Sequence, residues 1–135
     1  KYHMKVEEHE KAYQEHLRHI ERALEEGIEE NQRNLGFNIS QGSVELLSIY
    51  LHKLHIFQSS GDQLDHRIFK SSSLVKIKLP HGFPSKEEIL EIVKLIEEER
   101  ISLCYGNKKP KERIEKALEN FQKLRKIING ALKNG

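Results

Sequence analysis

From Val44 to Phe57 the chain holds Val44, Leu46, Leu47, Ile49, Tyr50, Leu51, Leu54, Ile56 and Phe57, apolar residues too dense for one stripe of a helix. A helix that is apolar almost all round cannot lie at a surface with one face in water, so other elements must enclose it. The fold is therefore built around this segment, and the rest of the sequence has to supply its cover.

The cover reads as helical. Val6, Tyr13, Leu17, Ile20, Leu24 and Ile28 recur at threes, fours and one seven, which marks an outer helix with a single buried face. Asn34, Gly36 and Asn38 interrupt that pattern, and Asn38 with Gln41 three residues on has the form of an N-cap with its reciprocal partner, so the central helix is expected to begin there. Pro84 followed by Ser85-Lys86-Glu87-Glu88 reads as a capping box opening a third helix, with Ile89, Ile92, Val93 and Ile96 buried and an end near Leu103. Gly106-Asn107 stops it, and Pro110 suits the first turn of a fourth helix carrying Ile114, Ala117, Leu118, Phe121, Leu124, Ile128 and Ala131 on one face.

Residues 58–84 hold Ser59-Ser60-Gly61-Asp62, Ser71-Ser72-Ser73, Pro80, Gly82 and Pro84, a density of breakers that no helical period survives. Within them Leu74 to Leu79 alternates like a short strand. The expected fold is all-α: an antiparallel four-helix, up-and-down bundle with a long loop between helices 2 and 3. Residues 4–135 form one domain, and Lys1, Tyr2 and His3 ahead of Met4 have the look of a cloning remnant.

No stretch supplies a secretory h-region or a membrane span, which needs about 18 to 20 apolar residues, so the expectation is a cytoplasmic protein away from membranes. The single cysteine, Cys104, excludes an intrachain disulfide and a cysteine-rich zinc site. Net charge is +2 but uneven: residues 1–33 carry six Lys/Arg against nine Glu, and residues 107–135 carry nine Lys/Arg against three Glu. A basic last helix either faces phosphates or lies beside the acidic first helix and is partly neutralised. Abundant Glu, Lys and Ile without Trp resembles a heat-adapted composition.

Gln41, Glu45, Ser48, His52 and His55 follow intervals of four and three, lining a polar seam along the otherwise apolar central helix. The seam is either a solvent face or a buried line that needs partners, and an arginine such as Arg100 is a candidate for Glu45. Eight histidines raise the question of a metal, but Glu-x-x-His and His-Glu-x-x-His are both absent, so no metal or other cofactor is expected. His9, His16 and His19 are expected at the surface of the first helix. Phosphate-loop and nucleophile-elbow motifs are missing as well. Two further groups bear chemistry: Asp65-His66-Arg67, suited to proton transfer or to holding a phosphate, and Arg100 with Tyr105 where the third helix turns towards the fourth.

Ser40-Gln41-Gly42-Ser43-Val44-Glu45-Leu46-Leu47, together with Arg100 and Tyr105, resembles the HEPN superfamily, small helical bundles found beside nucleotidyltransferases and in RNA-cleaving toxins; the likeness spans residues 36–128. The ribonuclease members place a histidine four to six residues after an arginine, whereas Arg100 is followed by Tyr105, Gly106 and Asn107. A phenol with a pKa near 10 is a poor base at neutral pH, so the resemblance implies a relative without that cleavage.

What the resemblance implies is a homodimeric module that binds RNA, a nucleotide or a partner nucleotidyltransferase, with Glu45, His52, Arg100, Tyr105, His66 and Arg67 as groove candidates. Two alternatives stay open: a metal-independent ribonuclease using Arg100 with His52 or His66, and a helical protein-interaction domain with no small-molecule site.

Overall fold

A computed structural model describes residues 2–57 and 64–134. Among these residues the chain is all-helical, without a strand: α1 (Tyr2–Glu26), α2 (Gln32–Lys53), a 3-10 helix (His66–Lys70), α3 (Ser72–Lys78), α4 (Lys86–Cys104) and α5 (Lys111–Asn134). Five α-helices stand where the sequence suggested four. The additional one, α3, lies in the connection expected to be a loop, over the residues that alternate like a strand. Ser71 explains the difference, because its hydroxyl accepts the Leu74 amide at 3.2 Å and caps a short helix that no pairing strand competes with.

The second correction concerns α2, which begins at Gln32 and runs straight through Asn34, Gly36 and Asn38. Asn38 caps nothing: its amide nitrogen donates back to the Asn34 carbonyl at 2.9 Å, one turn earlier. Gly36 is present for closeness, since a Cβ built there would lie 2.8 Å from Cβ of Leu103 and 3.2 Å from Sγ of Cys104. The helix ends with His55 in the left-handed region (φ 62°), and the Ile56 amide donates to the Leu51 carbonyl at 2.9 Å to satisfy a terminal acceptor. The third correction is Ser85. It is left-handed (φ 61°) and its side chain makes no cap bond, so the capping box read from the sequence does not form.

As the apolar density requires, α2 is the enclosed element, with Leu35, Ile39, Leu47, Tyr50 and Leu51 fully buried. Burying each such side chain is favourable by about 1.5–3 kcal/mol before chain entropy is counted. It packs against α1, α4 and α5, and α4 packs on α5. Partners on α2 and α4 run in opposite order: Gln32 meets Leu103, Phe37 meets Arg100, Ser40 meets Glu97, and Tyr50 meets Pro84 just before α4. The two helices are therefore antiparallel. The α1 and α2 pair reads the same way, His9 meeting Glu45 and His16 meeting Asn38.

The turn between α4 and α5 is set by Gly106 at φ 101°, a conformation costly for any residue with a Cβ. Gln32 holds the turn from the start of α2, donating to the Leu103 carbonyl at 3.1 Å and accepting the Lys109 amide at 2.7 Å. Lys86 ties the opening of α4 to the preceding segment through the Leu79 and His81 carbonyls, both at 2.7 Å. No helix among the described residues is long and apolar enough to cross a membrane.

Candidate functional site

Glu97 lies on the apolar stripe of α4, one turn after Val93, and is 3% exposed. A carboxylate there requires hydrogen-bond partners, because burying an uncompensated charge costs several kcal/mol on the order of an ion's desolvation. It has two. Oε1 sits 2.8 Å from Nδ1 of His66, and Oε2 accepts the hydroxyl of Ser40 at 3.2 Å. Ser40, 1% exposed on α2, in turn accepts Nη1 of Arg100 at 3.2 Å. One hydroxyl thus links a guanidinium to a buried carboxylate, which a group with one donor and two acceptor positions does without conflict.

Local structure fixes each member. His66 opens the 3-10 helix, whose preceding residue Asp65 accepts the Arg67 amide at 2.8 Å, while Ile68 and Phe69 bury themselves beneath it. Arg100 is one turn beyond Glu97 and stacks its guanidinium on Phe37, 5.3 Å from the ring centroid. Phe37 is 42% exposed, and His16 of α1 meets its ring edge-on at 6.0 Å. Among the described residues Arg100 forms no ion pair, so its charge is not cancelled by a direct carboxylate contact.

Nδ1 of His66 faces the carboxylate, which leaves Nε2 as the ring nitrogen available to another molecule; such carboxylate-held imidazoles have a defined tautomer and orientation. The cluster joins an imidazole, a guanidinium and a half-exposed aromatic ring over a buried Glu97–Ser40 support. Its chemistry suits an anion, and a phosphate above all.

The polar seam of α2 forms a second, separate cluster. Glu45 pairs with His9 of α1 at 2.6 Å rather than with Arg100, and the His9 and His52 rings lie 5.5 Å apart. His52 also meets Phe57 edge-on at 5.6 Å. Ser48 and His52 are buried, Gln41 and Glu45 half-buried, and only His55 is exposed, so α1 covers most of the seam. His9 is 8% exposed, contrary to the expectation of a surface histidine: it occupies the gap of seven between Val6 and Tyr13 on the buried face. His16 and His19 are half-buried, and Nδ1 of His16 lies 2.7 Å from Oδ1 of Asn38. Nε2 of His9 and Oγ of Ser48 are buried without a hydrogen-bond partner among the described residues. No group of three or more His, Cys, Asp or Glu among them is arranged to hold a metal ion.

The six residues expected to share a groove therefore have different surroundings. His66 and Arg100 meet through Glu97 and Ser40, whereas Glu45 and His52 belong to the cluster under α1. Arg67 is exposed and bound to its neighbour Asp65 at 2.6 Å, which holds the Asp65 carboxyl well below the usual range. Tyr105 is 67% exposed just after α4, without a side-chain hydrogen bond to the described residues. Cys104, one turn beyond Arg100, is a buried thiol donating to the Arg33 carbonyl at 3.6 Å; burial pushes its pKa up, against the pull of Arg100 and Arg33.

Glu97, Phe37 and the supporting role of Ser40 escape a reading of the sequence alone. Glu97 had a signal, being a charged residue on the period of Ile89 and Val93. Phe37 had none, because it follows a glycine in a stretch that reads as a turn. On α5, Gln122, Arg125, Lys126, Asn129 and Lys133 border a shallow surface groove, and no ion pair among the described residues joins α5 to the acidic α1. No protein-family model, no curated protein and no solved structure matches this chain.

Proposed function

We propose that the protein is a HEPN-like helical module which binds a phosphate-bearing ligand, RNA or a nucleotide, at the cluster of Ser40, His66, Glu97 and Arg100. In this reading the four long helices act as an up-and-down bundle, and the 3-10 helix and α3 bring His66 to its side. The single observation that carries the proposal is Arg100: it is half-buried, held by Ser40 and Phe37, and not neutralised by a carboxylate contact. Homodimerisation and a partner nucleotidyltransferase belong to the same reading and rest on the sequence resemblance.

The test is binding of mononucleotides and short RNAs to the wild type and Arg100→Ala, at low and physiological salt. A salt-sensitive signal that the variant loses supports the proposal, because phosphate contacts release counterions. Silence across the panel, or full binding by Arg100→Ala, overturns it.

A second reading, a metal-independent ribonuclease, is favoured by the 2.8 Å contact between His66 and Glu97. Nε2 of His66 would take the proton of a ribose 2′-hydroxyl, whose oxygen attacks the adjacent phosphate. The bond from phosphorus to the 5′-oxygen breaks and that oxygen takes a proton from solvent, giving a 2′,3′-cyclic phosphate, while Arg100 balances the developing charge and His66 returns its proton to water. Cleavage by the wild type that His66→Ala abolishes and His52→Ala retains supports this reading. No cleavage by the wild type ends it.

A further inference from the structure

Phe37 is not required by the core, yet it is held in place. Its ring is 42% exposed on a helix whose neighbouring residues Gly36 and Asn38 are buried. The Arg100 guanidinium lies on the ring at 5.3 Å and His16 meets it edge-on at 6.0 Å, so both a cation and a second ring orient it. Arg33 stands one turn earlier on α2, exposed on the same side, and its carbonyl accepts the thiol of Cys104, one turn beyond Arg100. An exposed aromatic ring is thus bracketed along the antiparallel α2 and α4 pair by two arginines.

That arrangement differs from a bare anion site. A phosphate is bound by the guanidinium, and the exposed part of a phenyl ring beside it offers a phosphate no hydrogen bond. A nucleobase supplies a partner for the part of the ring left exposed, since every base has a flat face that stacks on an aromatic side chain whatever its hydrogen-bonding edge. The Arg100 guanidinium over Phe37 gives one N–H to Ser40 and has further donors of the kind that bind a neighbouring phosphate.

We propose that Phe37 is a base-stacking residue, so that the site takes single-stranded nucleic acid, one unstacked base on Phe37 with its neighbouring phosphates on Arg100 and Arg33. The inference rests on the phosphate-binding reading and adds to it the requirement for a base. Recognition is tolerant of sequence, because a phenyl ring has no donor or acceptor, and a duplex is excluded because its bases are already stacked.

The test compares a short oligoadenylate with an oligomer of the same length whose units carry a tetrahydrofuran spacer in place of the base, by fluorescence anisotropy at low salt. The wild type should bind the oligoadenylate at least about five-fold more tightly than the abasic oligomer, the low end of what one stacked base contributes. Phe37→Leu should remove that preference, bringing the affinities for the two oligomers together, Phe37→Tyr should keep it, and Arg100→Ala should weaken both ligands. Circular dichroism confirms that the variants fold. Equal binding of both oligomers by the wild type, with both lost in Arg100→Ala, overturns base stacking and leaves the phosphate site standing. A base preference that survives in Phe37→Leu also overturns it. Failure of the wild type to bind either oligomer overturns both.

Discussion

Nδ1 of His66 lies 2.8 Å from Oε1 of Glu97, a carboxylate sealed between α2, α4 and the 3-10 helix. Two residues 31 positions apart are joined at the one place where α4 carries a charge on its buried face. The other carboxylate oxygen is bound to Ser40, and through that hydroxyl to Arg100.

The support should behave as one unit. Ser40→Ala strips a partner from Glu97 and from Arg100, and Glu97→Gln removes the charge at constant shape; each should cost about 1–3 kcal/mol, the penalty for leaving a buried polar group unmatched. Together they should cost less than their sum, by about 0.5 kcal/mol or more. Urea unfolding of the two single variants and the double variant measures this coupling. Strict additivity would show that the two side chains act independently.

The close approach of α2 and α4 has a signature in glycine substitutions. Gly36→Ala would place a methyl group 2.8 Å from Cβ of Leu103 and should destabilise by about 1–3 kcal/mol, as overpacking does. Gly130→Ala, on α5 with nothing within 4 Å of the added carbon, should stabilise by up to about 1 kcal/mol through helix propensity. Thermal or urea unfolding should show the opposite signs.

Ser85 gives a contrast with its sequence signature. A serine in a working capping box costs about 0.5–2 kcal/mol when removed. Here the side chain makes no cap bond and φ is 61°, so Ser85→Gly should be neutral or stabilising by up to about 1 kcal/mol. Unfolding curves of that single variant decide the matter.

Alkaline pH should weaken the fold. Burial raises the pKa of the Cys104 thiol and of the Tyr13 and Tyr50 phenols, with Arg125 opposing the shift at Tyr13. A group whose folded pKa is raised contributes fully below its unfolded value, and that contribution is lost as pH rises through the folded one. Stability should therefore fall above about pH 8.5 for the thiol and above about pH 10 for the phenols. Urea midpoints across this range should show a shallower decline between about pH 8 and 9.5 in Cys104→Ala than in the wild type. Identical slopes would remove the thiol from the account.

The helices were legible where apolar spacing alone determines them. Ile114, Ala117, Phe121, Leu124 and Ile128 mark α5, and the all-round apolar run from Val44 to Leu51 marks the enclosed α2, whereas Leu54, Ile56 and Phe57 of the same run lie beyond its end at Lys53. Local signals misled where tertiary contact overrides them. Asn34, Gly36 and Asn38 read as a break because glycine and asparagine favour turns, but Gly36 is the contact point with α4. Ser85 reads as a cap because the spacing to Glu88 is correct, but its backbone is left-handed. Of the site, His66 and Arg100 were visible as isolated groups of the right chemistry. Their union depends on Glu97 and Ser40, which meet only when α2 and α4 pack antiparallel.

The most direct test of the central claim is an NMR titration of the wild type with a short single-stranded RNA, following the histidine rings and arginine side chains at physiological salt. The His66 ring and the Arg100 guanidinium should shift together and saturate together, while the His9 and His52 rings, in the cluster beneath α1, stay in place. Shifts confined to the lysines of α5, or to His9 and His52, would contradict the assignment of the phosphate site to Ser40, His66, Glu97 and Arg100.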